Sequence, residues 1–160
     1  KCFPIYRKMQ SQFWEEKIKK IRGRYGNEAI EADDVMKHIL RNPNDGNSVY
    51  MFVADQTPHI SMVNFGIWFL NQKTPVFVGY DRLSGRMNVT FVYCEMEKIK
   101  RGHYRVTYHE ITPTNQKFEP YEVVKKFHQN LEKTINKNPD NWLWSHRKWK
   151  YKDAIKHFDE

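Results

Sequence analysis

A run of six apolar residues over 49–54, reading V-Y-M-F-V-A, constrains the fold of this chain more than any other segment. A strand that is apolar at nearly every position has both faces covered, as in the parallel or mixed sheets of α/β proteins. The run is strand-sized and far shorter than the roughly 18 residues that span a bilayer. The sequence therefore predicts a central strand here and contains no membrane-spanning segment.

Helices and further strands are predicted on both sides of this run. Apolar residues at helical spacing predict helices over 8–24, 35–40 and 123–137, and Pro75 suits the first turn of a helix over 76–82. Short strands are predicted over 28–31 and 67–70, and a hairpin over 89–97 and 104–111. This alternation predicts an α/β fold with a mixed β-sheet flanked by helices. We expect one domain over residues 1–150 and a solvated tail over 151–160.

Composition and charge restrict the environment and the partners. A chain of 160 residues supports one core without disulfides or metals. Cys2 and Cys94 make a poor disulfide pair, and Cys94, inside an apolar run, is expected to be an inert core residue in a reducing compartment. The net charge of +8 favours an anionic partner such as a phosphate, a nucleic acid, an acidic carrier protein or an anionic membrane face.

Several enzyme classes leave no signature in the sequence. There is no Gly-x-Ser-x-Gly elbow, and neither cysteine has a context that lowers its pKa. The seven histidines lack metal-ligand spacing, and no phosphate-binding glycine loop occurs. We therefore predict no catalytic serine or cysteine, no metal site and no cofactor.

Three polar residues near predicted strands are candidate site residues. Arg7 is either a surface cation or a guanidinium fork for a phosphate or a carboxylate. Asp55 and Gln56 follow the apolar run directly, where α/β sheets tend to place ligand groups. Asp55 is accordingly a helix cap, a partner for an arginine or an active-site carboxylate.

The segment 138–150 combines tryptophans with basic residues. It contains three tryptophans, Trp142, Trp144 and Trp149, together with His146, Arg147 and two lysines. This pairing is found at membrane interfaces and on stacking surfaces for single-stranded nucleic acid. The remaining interpretation is that the tryptophans are the core contact of a short terminal helix.

Residues 139–150, reading P-D-N-W-L-W-S-H-R-K-W-K, resemble the C-terminal signature of the bacterial lipid A biosynthesis acyltransferases. Further blocks agree with that family in order. They are Ile5-Tyr6-Arg7, Val53-Ala54-Asp55-Gln56, the loop 69–74, the strand 89–93 and Gly102-x-Tyr104-x-Val106. The resemblance covers nearly the whole chain and implies a partial acyltransferase-type αβα sandwich.

The resemblance implies an enzyme of lipopolysaccharide biosynthesis in a Gram-negative bacterium. Such an enzyme moves a fatty acyl group from a thioester, on acyl carrier protein or acyl-CoA, to a hydroxyl of a phosphorylated glycolipid. It works at the cytoplasmic face of the inner membrane, and a basic surface suits these anionic partners. In this family a histidine, oriented by the aspartate of a His-x-x-x-x-Asp motif, acts as general base.

No histidine of this chain has an aspartate five positions on; His59 has Asn64 instead. We expect the catalytic motif and the membrane anchor to lie upstream of Lys1, so that this piece alone is soluble and inactive. A natural relative that lost catalysis is the alternative account.

The candidate substrate-binding residues are therefore Arg7, Asp55 and Gln56, with no catalytic residue in the chain. His146 and Arg147 are expected to fasten the terminal helix rather than contact substrate, since the flanking tryptophans are typical packing anchors. The competing function is a non-catalytic basic module that binds anionic lipid or single-stranded nucleic acid, although nucleic acid is the less expected partner because no recognised binding motif is present.

Overall fold

The computed structural model describes residues 1–42, 46–85 and 87–158. The chain divides into two compact units, Lys1–Val53 and Ala54–Glu160. The first unit contains three strands and two helices: β1 (Cys2–Tyr6), α1 (Gln12–Arg22), β2 (Ile30–Glu31), α2 (Val35–Arg41) and β3 (Val49–Met51). The second contains β4 (Phe65–Phe69), β5 (Gln72–Val76), β6 (Phe91–Lys100), β7 (His103–Ile111), α3 (Glu122–Lys137) and β8 (His157–Phe158).

The sheet of the first unit is parallel, with β1 between β2 and β3. Ile5 is opposite Ile30, and Cys2 is opposite Val49. The core of this unit is made of buried apolar side chains from β1, β2 and α2, namely Phe3, Tyr6, Ile30, Val35 and Ile39. After α1, a short 3-10 turn at Gly23–Tyr25 ends at Gly26, whose φ of 79° suits a residue without a Cβ.

The prediction of a central, fully covered strand over 49–54 was wrong. The strand covers only Val49–Met51 and pairs with β1 on one side among the described residues. Val49, Met51 and Val53 are all largely exposed. The central position belongs to β1, a strand that the sequence interpretation did not assign. An apolar run shows that a segment favours extended backbone, but it does not show which strands lie beside it.

In the second unit, the predicted helix over 76–82 was also wrong. Pro75 lies inside β5, which forms a hairpin with β4, and only a short 3-10 turn follows at Asp81–Leu83. Proline lacks the amide hydrogen that a central strand needs, and β5 is paired on one side only in the described sheet, so this position tolerates it. The hairpin turns at Leu70 and Asn71, which both have positive φ, as a two-residue hairpin turn requires.

The predicted hairpin and long helix are confirmed. β6 and β7 pair antiparallel over nine residue pairs, and α3 packs on this hairpin through the hydrogen bond from Tyr93 Oη to Thr134 Oγ1 at 2.8 Å. Cys94, however, is exposed rather than buried. Side chains alternate along a strand, so Cys94 faces away from α3 when Tyr93 faces it.

The α/β class is confirmed by the three α-helices of the described residues and by strands that pair both in parallel and antiparallel. The described strands form three small sheets rather than one continuous one. Beyond residue 150, which the sequence assigns to a tail, His157 and Phe158 pair with Phe65 and Gly66 of β4. Residues 159–160 of that predicted tail lie outside the described residues. Within the part of the chain that the structure describes, no helix has the length and apolar character needed to cross a bilayer.

Candidate functional site

In the second unit, the loop after Ala54 is held against the C-terminal segment by hydrogen bonds. The backbone amide of Thr57 donates to His146 Nε2 at 2.9 Å. The Thr57 hydroxyl is 2.9 Å from the carbonyl oxygen of Arg147 and 2.6 Å from that of Lys148, and it donates to these acceptors. Two segments about 90 residues apart in sequence therefore meet at one place.

Lys148 lies at the centre of this contact and is fully buried, with 0% of its surface exposed. Its Nζ donates to the carbonyl oxygen of Gln56 at 3.3 Å and lies 5.9 Å from the centroid of the Phe69 ring. Burial lowers the pKa of Lys148 to about 8, and the negative charge of Asp55 acts in the opposite direction. The ammonium is thus held by a carbonyl dipole, an aromatic face and a nearby carboxylate.

His128 is a second buried basic group in the same region. It lies on α3, where its Nδ1 is 2.9 Å from the carbonyl oxygen of Val124, and its ring meets that of Phe69 edge to face. Burial, followed by the charge of Lys148, lowers the pKa of His128 to about 3, so the imidazole is neutral at physiological pH. Its Nε2 is buried and has no hydrogen-bond partner among the described residues.

The three tryptophans of the C-terminal segment have different environments. Trp149 donates from Nε1 to Thr74 Oγ1 at 2.7 Å, and Trp142 packs edge to face on Phe69 and Trp149. Trp144 is about half exposed, although its Nε1 donates to the carbonyl oxygen of Pro139 at 2.6 Å. Residues Pro139–Asn141 form a 3-10 turn just before Trp142. Trp142 and Trp149, both half-buried, therefore pack against other side chains of the unit, whereas Trp144 presents one face to solvent.

Asp55 and Gln56 lie at the edge of this cluster. Asp55 is half-buried, and its negative charge acts to raise the pKa of Lys148. Gln56 is exposed, and its backbone carbonyl accepts the hydrogen bond from Lys148. The structure thus brings together Asp55, Gln56, His146, Arg147 and the neighbouring Lys148.

Arg7 lies in the first unit, directly after β1, and is exposed. It borders a cavity of about 210 Å3 that is also lined by Tyr6, Met9, Glu15, Ile18 and Arg22.

The charge at this cavity is positive in balance. Glu15 accepts from Lys19 Nζ at 2.8 Å and from the amide of Met9 at 3.2 Å. The hydrogen bond from Lys19 lowers the pKa of Glu15, so this carboxylate is ionised and paired. The lining thus contains two arginines, Arg7 and Arg22, and one glutamate, and a basic lining of this kind suits a phosphate or carboxylate.

Sequence reasoning missed Lys148 and His128. A basic run gave no signal that one of its lysines is buried, because lysines are mostly exposed. His128 did carry a signal: with Val124 and Leu131 it recurs at spacings of four and three, on the apolar face of α3. In the described residues no group of three His, Cys, Asp or Glu side chains is arranged to hold a metal ion.

Comparison with models of known protein families identifies a match. The sequence model of the bacterial lipid A biosynthesis acyltransferase family matches residues 3–151. No curated protein sequence matches the chain. The matched range includes Arg7, the Asp55–Gln56 pair and the whole segment from Trp142 to Trp149.

Proposed function

Because the chain belongs to the bacterial lipid A biosynthesis acyltransferases, we propose that it is part of an enzyme that transfers a fatty acyl group to a lipid A precursor. The donor is an acyl thioester, on acyl carrier protein or acyl-CoA, and the acceptor is a hydroxyl of a phosphorylated glycolipid. The observation that carries this proposal is the family match over residues 3–151, nearly the whole chain.

Acceptor binding is assigned to Arg7. The supporting observation is the lining of its cavity, which includes the two arginines Arg7 and Arg22 together with Glu15. A guanidinium binds a phosphate through two parallel hydrogen bonds, and this fixes both the position and the orientation of the ligand. Arg7 therefore anchors a phosphate of the acceptor.

Asp55 and Gln56 are further substrate-binding residues in this proposal, both within the second unit. Support comes from their fixed position: Thr57 is tied to residues 146–148, and the buried Lys148 binds the Gln56 carbonyl. A loop held at both the backbone and the side-chain level loses little entropy when it binds a ligand. The same contacts support a fastening role for His146 and Arg147.

The reaction needs a general base, and we place it outside these 160 residues. No histidine of the chain has an aspartate five positions on. In the proposed step, a histidine takes the proton of the attacking hydroxyl, the new oxygen–acyl bond forms, and the carbon–sulfur bond of the thioester breaks. The thiolate that leaves takes up that proton, so the histidine is neutral again.

The net charge of +8 fits a site at the cytoplasmic face of the inner membrane. Acyl carrier protein, glycolipid phosphates and anionic lipids are all negatively charged, and a basic surface raises the rate at which they meet the enzyme.

Acyl transfer tests this proposal. The chain would be compared with a version that includes the upstream sequence of its gene, with acyl carrier thioester or acyl-CoA as donor and a lipid A precursor as acceptor. We expect transfer by the extended protein and none by the 160 residues alone. Transfer by the 160 residues would contradict the placement of the base. If two correctly folded proteins both fail with both donors, the proposal reduces to shared ancestry.

A further inference from the structure

Helix α1 of the first unit presents its most apolar side chains to solvent. Phe13 is 65% exposed, Trp14 51% and Ile21 63%, and Tyr25 of the following 3-10 turn is 82% exposed. The opposite side of α1 contributes the buried Glu15. A helix that exposes two aromatic rings and an isoleucine on one face is not accounted for by the packing of its own unit.

Cations occupy the same face. Lys17, Lys20 and Ile21 follow Phe13 by four, seven and eight residues, so these positions lie on one side of α1, and the exposed Arg24 belongs to the 3-10 turn that follows. The ammonium of Lys17 lies 5.6 Å from the centroid of the Phe13 ring and 5.5 Å from that of Trp14. Aromatic and basic side chains are therefore interleaved rather than separated.

Cations outnumber acids on α1 and the turn that follows it. Glu15 is buried on the opposite side of α1 and pairs with Lys19, whereas Glu16 is exposed and accepts a hydrogen bond from Gln12 at 3.0 Å. Over residues 12–25 there are five cations and two acids, an excess of three positive charges. The complementary surface is therefore anionic and able to accept aromatic rings.

An apolar cavity continues this face. Its volume is about 290 Å3, and its lining is mainly apolar, with Ile5, Ile21, Tyr25, Met51 and Val53, and also includes Arg22 and Asn27. Met51 and Val53 are at least half exposed. An apolar cavity beside a basic aromatic helix matches the acyl chains and headgroups of a lipid layer better than it matches a polynucleotide, which offers no aliphatic surface.

We propose that the exposed face of α1, formed by Phe13, Trp14, Lys17, Lys20 and Ile21 and continued by Arg24 of the following turn, docks on the surface of an anionic lipid bilayer. The aromatic and isoleucine side chains enter the boundary between headgroups and acyl chains, while the cations meet lipid phosphates. The choice of a lipid partner rests on the proposed function, but the face itself is defined by exposure and charge. This face gives the enzyme a membrane contact within residues 1–53.

Vesicle sedimentation of the 160-residue chain tests this inference. The vesicles contain phosphatidylcholine and phosphatidylglycerol in equal parts, with pure phosphatidylcholine vesicles as the comparison. We expect binding to the mixed vesicles, weakened by salt. Replacing Phe13 and Trp14 together by serine lowers the partition coefficient by about tenfold or more, since each buried apolar group contributes to interfacial binding. Tyr108→Ser, at an exposed ring of β7, is the matched control and leaves binding unchanged.

A charge-reversal pair separates electrostatic docking from non-specific attraction. Lys17→Glu with Lys20→Glu is expected to lower binding by about tenfold or more, whereas Lys98→Glu with Lys100→Glu, which makes the same change in net charge, has a much smaller effect. Equal losses in the two pairs would overturn the inference, as would full binding by the Phe13 and Trp14 double variant. If the α1 changes abolish binding of a single-stranded oligonucleotide but not of vesicles, the face is a nucleic-acid surface instead.

Because no acyl transfer is measured in these assays, their failure and the failure of the proposed function are distinguishable. If an extended enzyme transfers acyl groups but its binding to vesicles is unchanged by the α1 substitutions, the docking face alone is refuted. Sedimentation velocity measures self-association of the chain. If the chain forms a dimer that dissociates when Phe13 and Trp14 are replaced, and the chain does not bind vesicles, the face binds a second copy and the lipid proposal is overturned.

Discussion

Lys148 Nζ donates a hydrogen bond to the carbonyl oxygen of Gln56 at 3.3 Å, from a side chain with no exposed surface. This bond joins the C-terminal signature to the loop that follows Ala54. A buried ammonium is costly, and it persists because the Gln56 carbonyl, the Phe69 ring and Asp55 all favour the cation. The terminal segment and the loop therefore form one structural element around a charge.

The stability of the chain should rise with pH in the alkaline range because of Lys148. Its pKa is about 8 in the folded chain against 10.5 ordinarily. Between these values the unfolded chain binds more protons than the folded one, so the free energy of unfolding increases with pH, by up to about 1.4 kcal/mol per pH unit. Lys148→Met removes this rise, measured by urea unfolding from pH 8 to pH 10, while the exposed Lys150→Met retains it. The same slope in both variants would contradict this assignment.

Acid should destabilise the chain through His128. Its pKa is about 3 when folded and 6.5 ordinarily, so the unfolded chain binds the extra proton between these values. The free energy of unfolding consequently falls as pH decreases from 6.5 towards 3. Carboxylates contribute in the same range, so the measurement is the difference between wild type and His128→Phe. We expect His128→Phe to lose less stability on acidification than wild type. His103→Phe, at an exposed imidazole, should behave as wild type. Identical acid profiles for wild type and His128→Phe would argue against a buried neutral imidazole.

Asp81 should be a strong contributor to the stability of the second unit. Its buried carboxylate accepts from the amides of Tyr121 at 2.8 Å and Val123 at 3.2 Å, at the start of α3. Asp81→Ala leaves these amides without their acceptor and is expected to lower the free energy of unfolding by about 2 kcal/mol. Asp153→Ala, at an exposed position, serves as the control and should change stability by about 0.5 kcal/mol or less. A similarly small effect for Asp81→Ala would rule out a role of Asp81 in capping the start of α3.

Gly66 should be intolerant of a side chain because of Ile155. A Cβ at Gly66 would lie 2.6 Å from Ile155 Cδ1 and 2.9 Å from its Cγ2. Gly66→Ala therefore displaces Ile155 from β4 and is expected to cost about 1–3 kcal/mol of unfolding free energy. The double variant with Ile155→Ala should be more stable than the sum of the single effects predicts. Additive effects, or a comparable loss in Gly85→Ala, where nothing lies within 4 Å, would refute this contact.

The sequence predicted the α/β class, α3 and the β6–β7 hairpin because these segments carry strong periodic signals. It failed where pairing partners decide the outcome. Pro75 indicated a helix start, but the tight turn at Leu70 and Asn71 brings residues 72–76 back along β4. β1 contains Pro4 and only five residues, so its central position depends on pairing with β2 and β3 rather than on its own composition.

Of the candidate site, the sequence identified the segments but not their chemistry. Asp55, Gln56 and residues 146–147 were singled out, and the structure brings them together. The residue at their centre, Lys148, was missed because burial of a lysine is determined by what packs around it, here Phe69 and the Gln56 carbonyl. The proposed roles of Arg7, Asp55 and Gln56 in substrate binding stay predictions.

The proposed binding of the acceptor phosphate by Arg7 is tested most directly by the rate of acyl transfer in the extended protein when Arg7 is replaced. With an acyl carrier thioester and a lipid A precursor, we expect Arg7→Ala to lower kcat/KM by about tenfold or more, because a charge-assisted hydrogen bond to the acceptor phosphate is lost. Arg101→Ala, at an exposed hairpin position, should leave kcat/KM unchanged. Equal kcat/KM values for wild type and both variants would contradict the assignment of Arg7 to the acceptor.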